Sequence, residues 1–150
     1  MISSKKTIWI TIITASLILA ITMGVRQSLG LFIEPINNST SLDIVSISFA
    51  LAMGQLVWGL VQPVFGAIAD KKGSFGVLVI GAFMMFFGLL LTPFSQSDFT
   101  LMLTFGILCS AGAGAGSFSI LIGATARNLP SDKRSFAGGF INAGGSFGQF

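Results

Sequence analysis

Five long apolar stretches follow one another along the chain, and short polar segments that carry most of the charge separate them. This pattern predicts five helices, at about residues 7–33, 44–69, 75–91, 101–126 and 135–150. A helix needs about 20 apolar residues to cross the hydrocarbon core of a bilayer, and the first four stretches are close to that length or longer. The fifth is shorter and still apolar at Phe150, so we expect residues 1–150 to be the truncated N-terminal transmembrane bundle of a longer protein.

The basic start and the apolar stretch after it also fit a signal peptide. The apolar centre of a signal peptide is about 7–15 residues long and is followed by small residues at a cleavage site. Here the apolar stretch is longer and continues past Arg26. We therefore interpret it as the first helix, and removal by cleavage is the alternative.

The composition favours a membrane protein and excludes several other classes. Of the 150 residues, 53% are hydrophobic and only 9% are charged, whereas a soluble domain carries about 25% charged residues. The predicted fold class is therefore all-α, a polytopic membrane helix bundle. The chain has no His and a single Cys, which excludes a His-based proton relay and a zinc site. We find no nucleophile–base pair or metal cluster, and we expect no catalytic residue, no enzyme activity and no cofactor.

The charged residues alternate between the two ends of the predicted helices. Seven of the eight basic residues fall at one end: Lys5, Lys6, Lys71, Lys72, Arg127, Lys133 and Arg134. Three acids fall at the other end: Glu34, Asp43 and Asp98. By the positive-inside rule the N-terminus is cytoplasmic, in a multi-pass protein of the plasma membrane. Because the basic residues stand in small groups between apolar stretches, we expect no nucleic acid partner.

Arg26 is the basic residue that breaks this pattern, because it lies within the first apolar stretch. An arginine inside a membrane helix is costly unless it faces water, a partner or the interface. One interpretation is that it faces a central cavity and binds a carboxylate through its planar fork of donors. The alternative is that it snorkels to the outer interface.

Other polar side chains also lie within the apolar stretches. Gln55, Trp58 and Gln62 are spaced i, i+3, i+7 on the second helix and therefore share a face. Asn142 shares a face of the fifth helix with two further polar residues. These four residues are candidates for lining a substrate cavity together with Arg26. Hydrogen bonding between helices is the alternative role.

Several short segments predict local structure. Residues 34–43 combine Pro, Asn, Ser and Thr and predict a loop, with Asp43 as the N-cap of the second helix. Residues 70–73 predict a tight turn. Two small-xxx-small pairs predict close contact between helix backbones: Gly112 with Gly116, and Gly144 with Gly148.

The segment between the second and third predicted helices carries the most specific motif. Gly66, Asp70, Lys71 and Gly73 match the pattern Gly-x-x-x-Asp-(Arg/Lys)-x-Gly-x-(Arg/Lys). This segment resembles the loop between helices 2 and 3 of the major facilitator superfamily. Residues 74–76 depart from the family, which usually has basic residues there.

The resemblance implies a gating role for these four residues. Asp70 is expected to end the second helix, where its carboxylate would face the positive N-terminal end of an adjacent helix. In the family this contact bridges the two halves of the protein and favours the outward-open state.

Three further segments resemble the monocarboxylate and oxalate–formate branch of the superfamily: residues 24–32, 58–63 and 143–149. The resemblance implies alternating access by two six-helix bundles, with about five of twelve helices present here. It implies symport or antiport of a small organic anion, with a monocarboxylate as the expected substrate. The expected partners are that solute, the lipid bilayer and the missing C-terminal half of the carrier. The alternatives are a superfamily carrier of a drug or sugar, and a non-transporting membrane scaffold if the chain ends naturally at Phe150.

Overall fold

A computed structural model describes residues 5–127 and 129–150, which form five helices and no strand. These are α1 (Lys5–Ser39), α2 (Ile44–Lys72), α3 (Ser74–Leu91), α4 (Asp98–Ala126) and α5 (Ser131–Gly148). The first four are long and apolar enough to span a membrane, α3 together with the turn Thr92–Phe94 that extends it. The predicted class, a polytopic helical membrane bundle, is confirmed.

The first connection is shorter than the sequence predicts. Residues 34–43 were expected to form a loop, but after a 3₁₀ turn (Leu29–Phe32) the chain is again helical over Ile33–Ser39. Pro35 is tolerated because it lies in the first turn of that helical segment, where a backbone N–H has no helical acceptor.

The predicted N-cap of α2 is confirmed. The Asp43 carboxylate accepts a hydrogen bond from the backbone N–H of Ser46 at 2.8 Å. This bond holds the pKa of Asp43 below its ordinary value. The capping interaction is therefore present above the ordinary pKa of an aspartate and is lost as the pH falls through the lowered one.

The second connection is a single residue. The sequence predicts a turn over residues 70–73, but α2 continues to Lys72 and α3 begins at Ser74. Gly73 joins them with a φ of +92°, in a backbone region that residues with a side chain seldom adopt. The motif glycine at this position is thus required by the conformation of the turn.

α4 lies at the centre of the bundle, and its residues 109–117 are all buried. It contacts each of the other helices. Its backbone is irregular: a π-helical segment occupies Met102–Leu108, and the helix is interrupted after Ala115 before it resumes at Phe118. Thr22 of α1 donates a hydrogen bond to the carbonyl of Gly116 at 3.2 Å and so satisfies one backbone group at the interruption.

The helices approach closely because glycines lie at their crossings. A Cβ atom on Gly112 of α4 would lie 2.5 Å from the carbonyl oxygen of Gly81 and from the backbone nitrogen of Met85, both in α3. A Cβ on Gly106 would lie 2.7 Å from the carbonyl oxygen of Ala50 in α2. The expected backbone contact is confirmed for Gly112 of the small-xxx-small pair in α4. A Cβ on Gly116, the other member, would instead meet the side chain of Thr22 in α1 at 2.5 Å.

α5 packs against α1 in the same way. The glycines of its predicted pair, Gly144 and Gly148, lie directly against Ser16 and Ala20 of α1. The hydroxyl of Ser16 donates to the carbonyl of Phe140 at 3.4 Å. α3, which has no polar side chain over residues 75–91, packs Gly81 and Gly88 on α4 and exposes phenylalanines on the opposite face.

We predict that Gly112→Ala destabilises the bundle by about 1–3 kcal/mol, because the added methyl group meets backbone atoms that have no room to move. Thermal unfolding of the purified protein in detergent measures this. Gly123→Ala, in the same helix, is the matched control.

A Cβ on Gly123 would have no atom within 4 Å. Alanine is also a better helix former than glycine, so the control should be as stable as the original protein or slightly more so. Equal unfolding temperatures for the two variants would contradict the close crossing of α3 and α4.

Candidate functional site

Arg26 lies at the inner face of α1, half-buried among side chains of α2. One of its terminal nitrogens donates a hydrogen bond to Oε1 of Gln55. Its guanidinium carbon lies 4.1 Å from the centre of the Trp58 ring, within the range of a cation–π interaction. The structure thus brings together three of the five residues that the sequence nominates for substrate binding.

Arg26, Gln55 and Trp58 are called the Arg26 group below. This group borders a cavity of about 270 Å³ between α1, α2 and α4. Gln55 and Arg26 line it, together with Gly54 of α2 and Ser110 of α4. The helices come close together here: a Cβ on Gly54 would lie 2.5 Å from the hydroxyl oxygen of Ser110. The cavity is small for a ligand pocket, since drug-sized ligands occupy about 300–1,000 Å³.

The positive charge of Arg26 has no carboxylate partner among the residues that the structure describes. Its one recorded hydrogen bond goes to a neutral amide, although a guanidinium carries five N–H donors. The indole N–H of Trp58 is buried and also has no acceptor within the described part of the chain. The group therefore holds uncompensated positive charge and spare hydrogen-bond donors inside the bundle, and both favour an anion.

Gln62 lies apart from the Arg26 group, two helical turns further along α2 than Gln55. Its amide nitrogen donates to the carbonyl of Trp58 at 3.2 Å, and its amide oxygen accepts from the Ser119 hydroxyl at 3.5 Å. Gln62 and Ser119 line a second, larger cavity of about 640 Å³ between α2 and α4. The shared helical face is therefore divided between two cavities.

Asn142 is exposed on α5 and makes no recorded contact with the Arg26 group. α5 lies against α1 and the second half of α4, whereas Gln55 and Trp58 lie on α2. No hydrogen bond or charge in the described residues assigns Asn142 a role, and its place in the site stays a prediction.

Two of the motif residues, Gly66 and Asp70, line the same larger cavity as Gln62. The Asp70 carboxylate forms an ion pair with Arg127 at 2.7 Å, and the same guanidinium donates to the Asp70 carbonyl at 3.4 Å. The expectation that Asp70 ends its helix is wrong, because α2 continues to Lys72 and the carboxylate faces a guanidinium at the end of α4. Lys71 is exposed beside it.

Gly66 lines the larger cavity, and a Cβ there would have no atom within 4 Å. The same holds for Gly59 and Gly123. The three glycines give this cavity a smooth wall between α2 and α4, with the ion pair of Asp70 and Arg127 at one end.

Sequence reasoning missed the role of Arg127 at this ion pair. It counted Arg127 as one of several basic residues that set the topology. The available signal was that Asp70 and Arg127 both stand where an apolar stretch ends on the basic side of the chain. That signal does not show which acid and which base are neighbours, because pairing depends on how α2 and α4 cross.

Comparison with known proteins shows which family this chain resembles. A family model described as Major Facilitator Superfamily matches residues 2–150. The oxalate:formate antiporter of Oxalobacter formigenes is 27% identical over 140 residues. The MFS-type transporter opdF of Penicillium oxalicum is 27% identical over 146 residues. Each match covers 93% of this chain and 33% of the relative, so the chain spans about a third of the length of these curated relatives.

The exposure of the ion pair predicts a small contribution to stability. The side chains of Arg127 and Asp70 are 50% and 73% exposed, and ion pairs in contact with water are worth about 0–1 kcal/mol. In a double-mutant cycle of Asp70→Asn and Arg127→Gln, we expect a coupling free energy of unfolding below about 1 kcal/mol. A coupling several times larger would contradict this expectation and would mean that the ion pair stabilises the folded bundle substantially.

Proposed function

This chain belongs to the major facilitator superfamily, and we propose that it forms most of the N-terminal bundle of a secondary active transporter for small organic anions. Transport as the general function and a multi-pass location in a membrane follow from the family and from the four membrane-length helices. The substrate class, the coupling by symport or antiport, and the orientation with the N-terminus in the cytoplasm are parts of the proposal. The plasma membrane is the proposed location.

The observation that carries this proposal is the unpaired charge of Arg26. A cation held between membrane helices without a carboxylate partner is costly, and an anionic substrate would offset that cost while it is bound. The planar donor fork of arginine matches the two oxygens of a carboxylate. The curated relative named as an oxalate:formate antiporter supports small carboxylates as the substrate class.

The proposed roles differ between the two cavities. Arg26, with Gln55 and Trp58, would bind the carboxylate. Asn142 is proposed to line the transport path on the side that α5 forms. Gln62 would line the part of the transport path that the larger cavity forms.

Around the motif, Asp70 is proposed to act in gating through contacts with the other bundle, as the family resemblance implies. Gly66 would allow close approach of a helix of that bundle, and Gly73 would hold the turn. Exposed Lys71 would face the cytoplasm at the same gate. The ion pair with Arg127 would keep the Asp70 carboxylate in place when the gate is open.

Equilibrium binding of oxalate to the purified chain in lipid nanodiscs tests the proposed substrate class. We expect saturable binding that Arg26→Gln weakens at least about tenfold, because a hydrogen bond to a charged group contributes about 1.5–3 kcal/mol. Isothermal titration calorimetry gives the dissociation constants. Lys72→Gln removes one positive charge outside the cavity and serves as the matched control.

Binding that is unchanged in Arg26→Gln, or reduced equally by Lys72→Gln, would contradict the assignment of Arg26. If a neutral sugar or a lipophilic cation binds in place of oxalate, the carrier transports another class of substrate. Gln55→Leu should weaken oxalate binding less than Arg26→Gln, since it removes a neutral partner.

The gating role is tested by transport kinetics. In vesicles in which the protein carries out uptake, we expect Asp70→Asn to slow transport severely without reducing the amount inserted in the membrane. Asp43→Asn is the control, because it also removes a carboxylate but asparagine caps a helix as well as aspartate does. Normal kinetics for Asp70→Asn would refute the gating role.

A further inference from the structure

The first turns of α1 and α5 lie side by side at the basic end of the bundle. Ile8 and Ile12 of α1 are buried against Leu129 and Ala137, which flank the start of α5. The close packing of the two helices continues from this cluster towards the other end through the contacts of Gly144 and Gly148. The two N-terminal turns therefore present one continuous surface.

Three aromatic rings lie on that surface and remain partly exposed. Trp9 stands edge-on to Phe136 at 5.8 Å and to Phe140 at 6.1 Å between ring centres. The three side chains are exposed by 47%, 55% and 40%. Tryptophan concentrates at the level of the lipid headgroups, where its ring contacts acyl chains and its N–H contacts polar groups.

Basic side chains flank the aromatic rings on both helices. Lys5 and Lys6 precede Trp9 by four and three residues and so lie on its side of α1. Lys133 precedes Phe136 by three residues and lies on the corresponding side of α5. Helical side chains lean towards the N-terminus, so the three ammonium groups extend past the aromatic rings, away from the apolar part of the bundle.

The charges around this surface are predominantly positive. Arg134 adjoins it and donates through Nε to the carbonyl of Leu129 at 3.2 Å, which fixes the start of α5. Asp132 is the acid in these two turns, and it has no ion-pair partner among the described residues. Four basic side chains thus stand against one acid beside exposed aromatic rings.

We propose that this surface binds the headgroup of an anionic phospholipid, with the lipid phosphate between the lysines of α1 and α5 and its acyl chains on the aromatic rings. Charge complementarity commits the site to an anionic lipid, since each lysine near the membrane surface favours anionic lipid by about fivefold. The inference is independent of the transported substrate, because neither cavity includes these residues.

Tryptophan quenching by brominated lipids tests the proposal. The chain has two tryptophans, Trp9 and Trp58, so Trp58→Phe leaves Trp9 as the single probe. The protein is reconstituted in phosphatidylcholine with increasing fractions of phosphatidylglycerol brominated near the headgroup end of its chains. The same titration with brominated phosphatidylcholine gives the reference.

We expect half-maximal quenching of Trp9 at a fraction of phosphatidylglycerol at least about tenfold lower than that of phosphatidylcholine, because two lysines at about fivefold each already exceed tenfold. Lys5→Gln with Lys133→Gln should remove most of this preference, because each lysine is worth about fivefold. Lys71→Gln with Lys72→Gln removes the same charge at the turn between α2 and α3 and should leave the preference unchanged. Circular dichroism of each variant verifies that the helices are intact.

Equal quenching by the two brominated lipids would overturn the proposal, as would an equal loss of preference in both double variants. Absence of quenching by either lipid would also overturn it, because it would mean that protein covers the aromatic surface. Inorganic phosphate that abolishes the preference at millimolar concentration would assign the lysines to a soluble anion and would equally refute a lipid site.

Discussion

The close crossing of helices on α4 is the constraint on which the rest of the structure depends. Between membrane helices the hydrophobic effect provides little driving force, so association relies on van der Waals packing and on hydrogen bonds. Glycines at the crossings permit that packing, as Gly112 does against α3 and Gly106 against α2. The same proximity has a functional consequence: it brings Ser110 of α4 against α2 and closes one wall of the cavity beside Arg26.

Two kinds of charge coexist in this bundle, and their surroundings separate their roles. Asp70 and Arg127 are exposed and paired, so their charges are compensated and solvated. Arg26 lies between helices with a neutral amide and an aromatic ring as its neighbours. Exposed pairs contribute little to stability, which would suit the gating contact proposed for Asp70. A half-buried cation without a counter-ion would suit the proposed anion site.

The sequence is sufficient for the helical class, for the Asp43 cap and for the backbone contacts of Gly112, Gly144 and Gly148, because hydrophobic length, local capping and residue size determine them. It also places Arg26 within the first membrane-length helix. It does not predict that Gln62 belongs to a different cavity from Gln55, because a shared helical face says nothing about which neighbour covers each turn. The partner of Asp70 is equally inaccessible, since it depends on the crossing of α2 and α4.

Chemical modification of the arginines tests the central claim, an anion bound at Arg26, most directly. The chain contains three arginines, Arg26, Arg127 and Arg134, and phenylglyoxal reacts with exposed guanidinium groups. Peptide mass spectrometry of the chain in nanodiscs measures the modification of each one with and without oxalate. The account predicts that oxalate protects Arg26 and leaves Arg127 and Arg134 unprotected. Modification of Arg26 that oxalate does not reduce would contradict it.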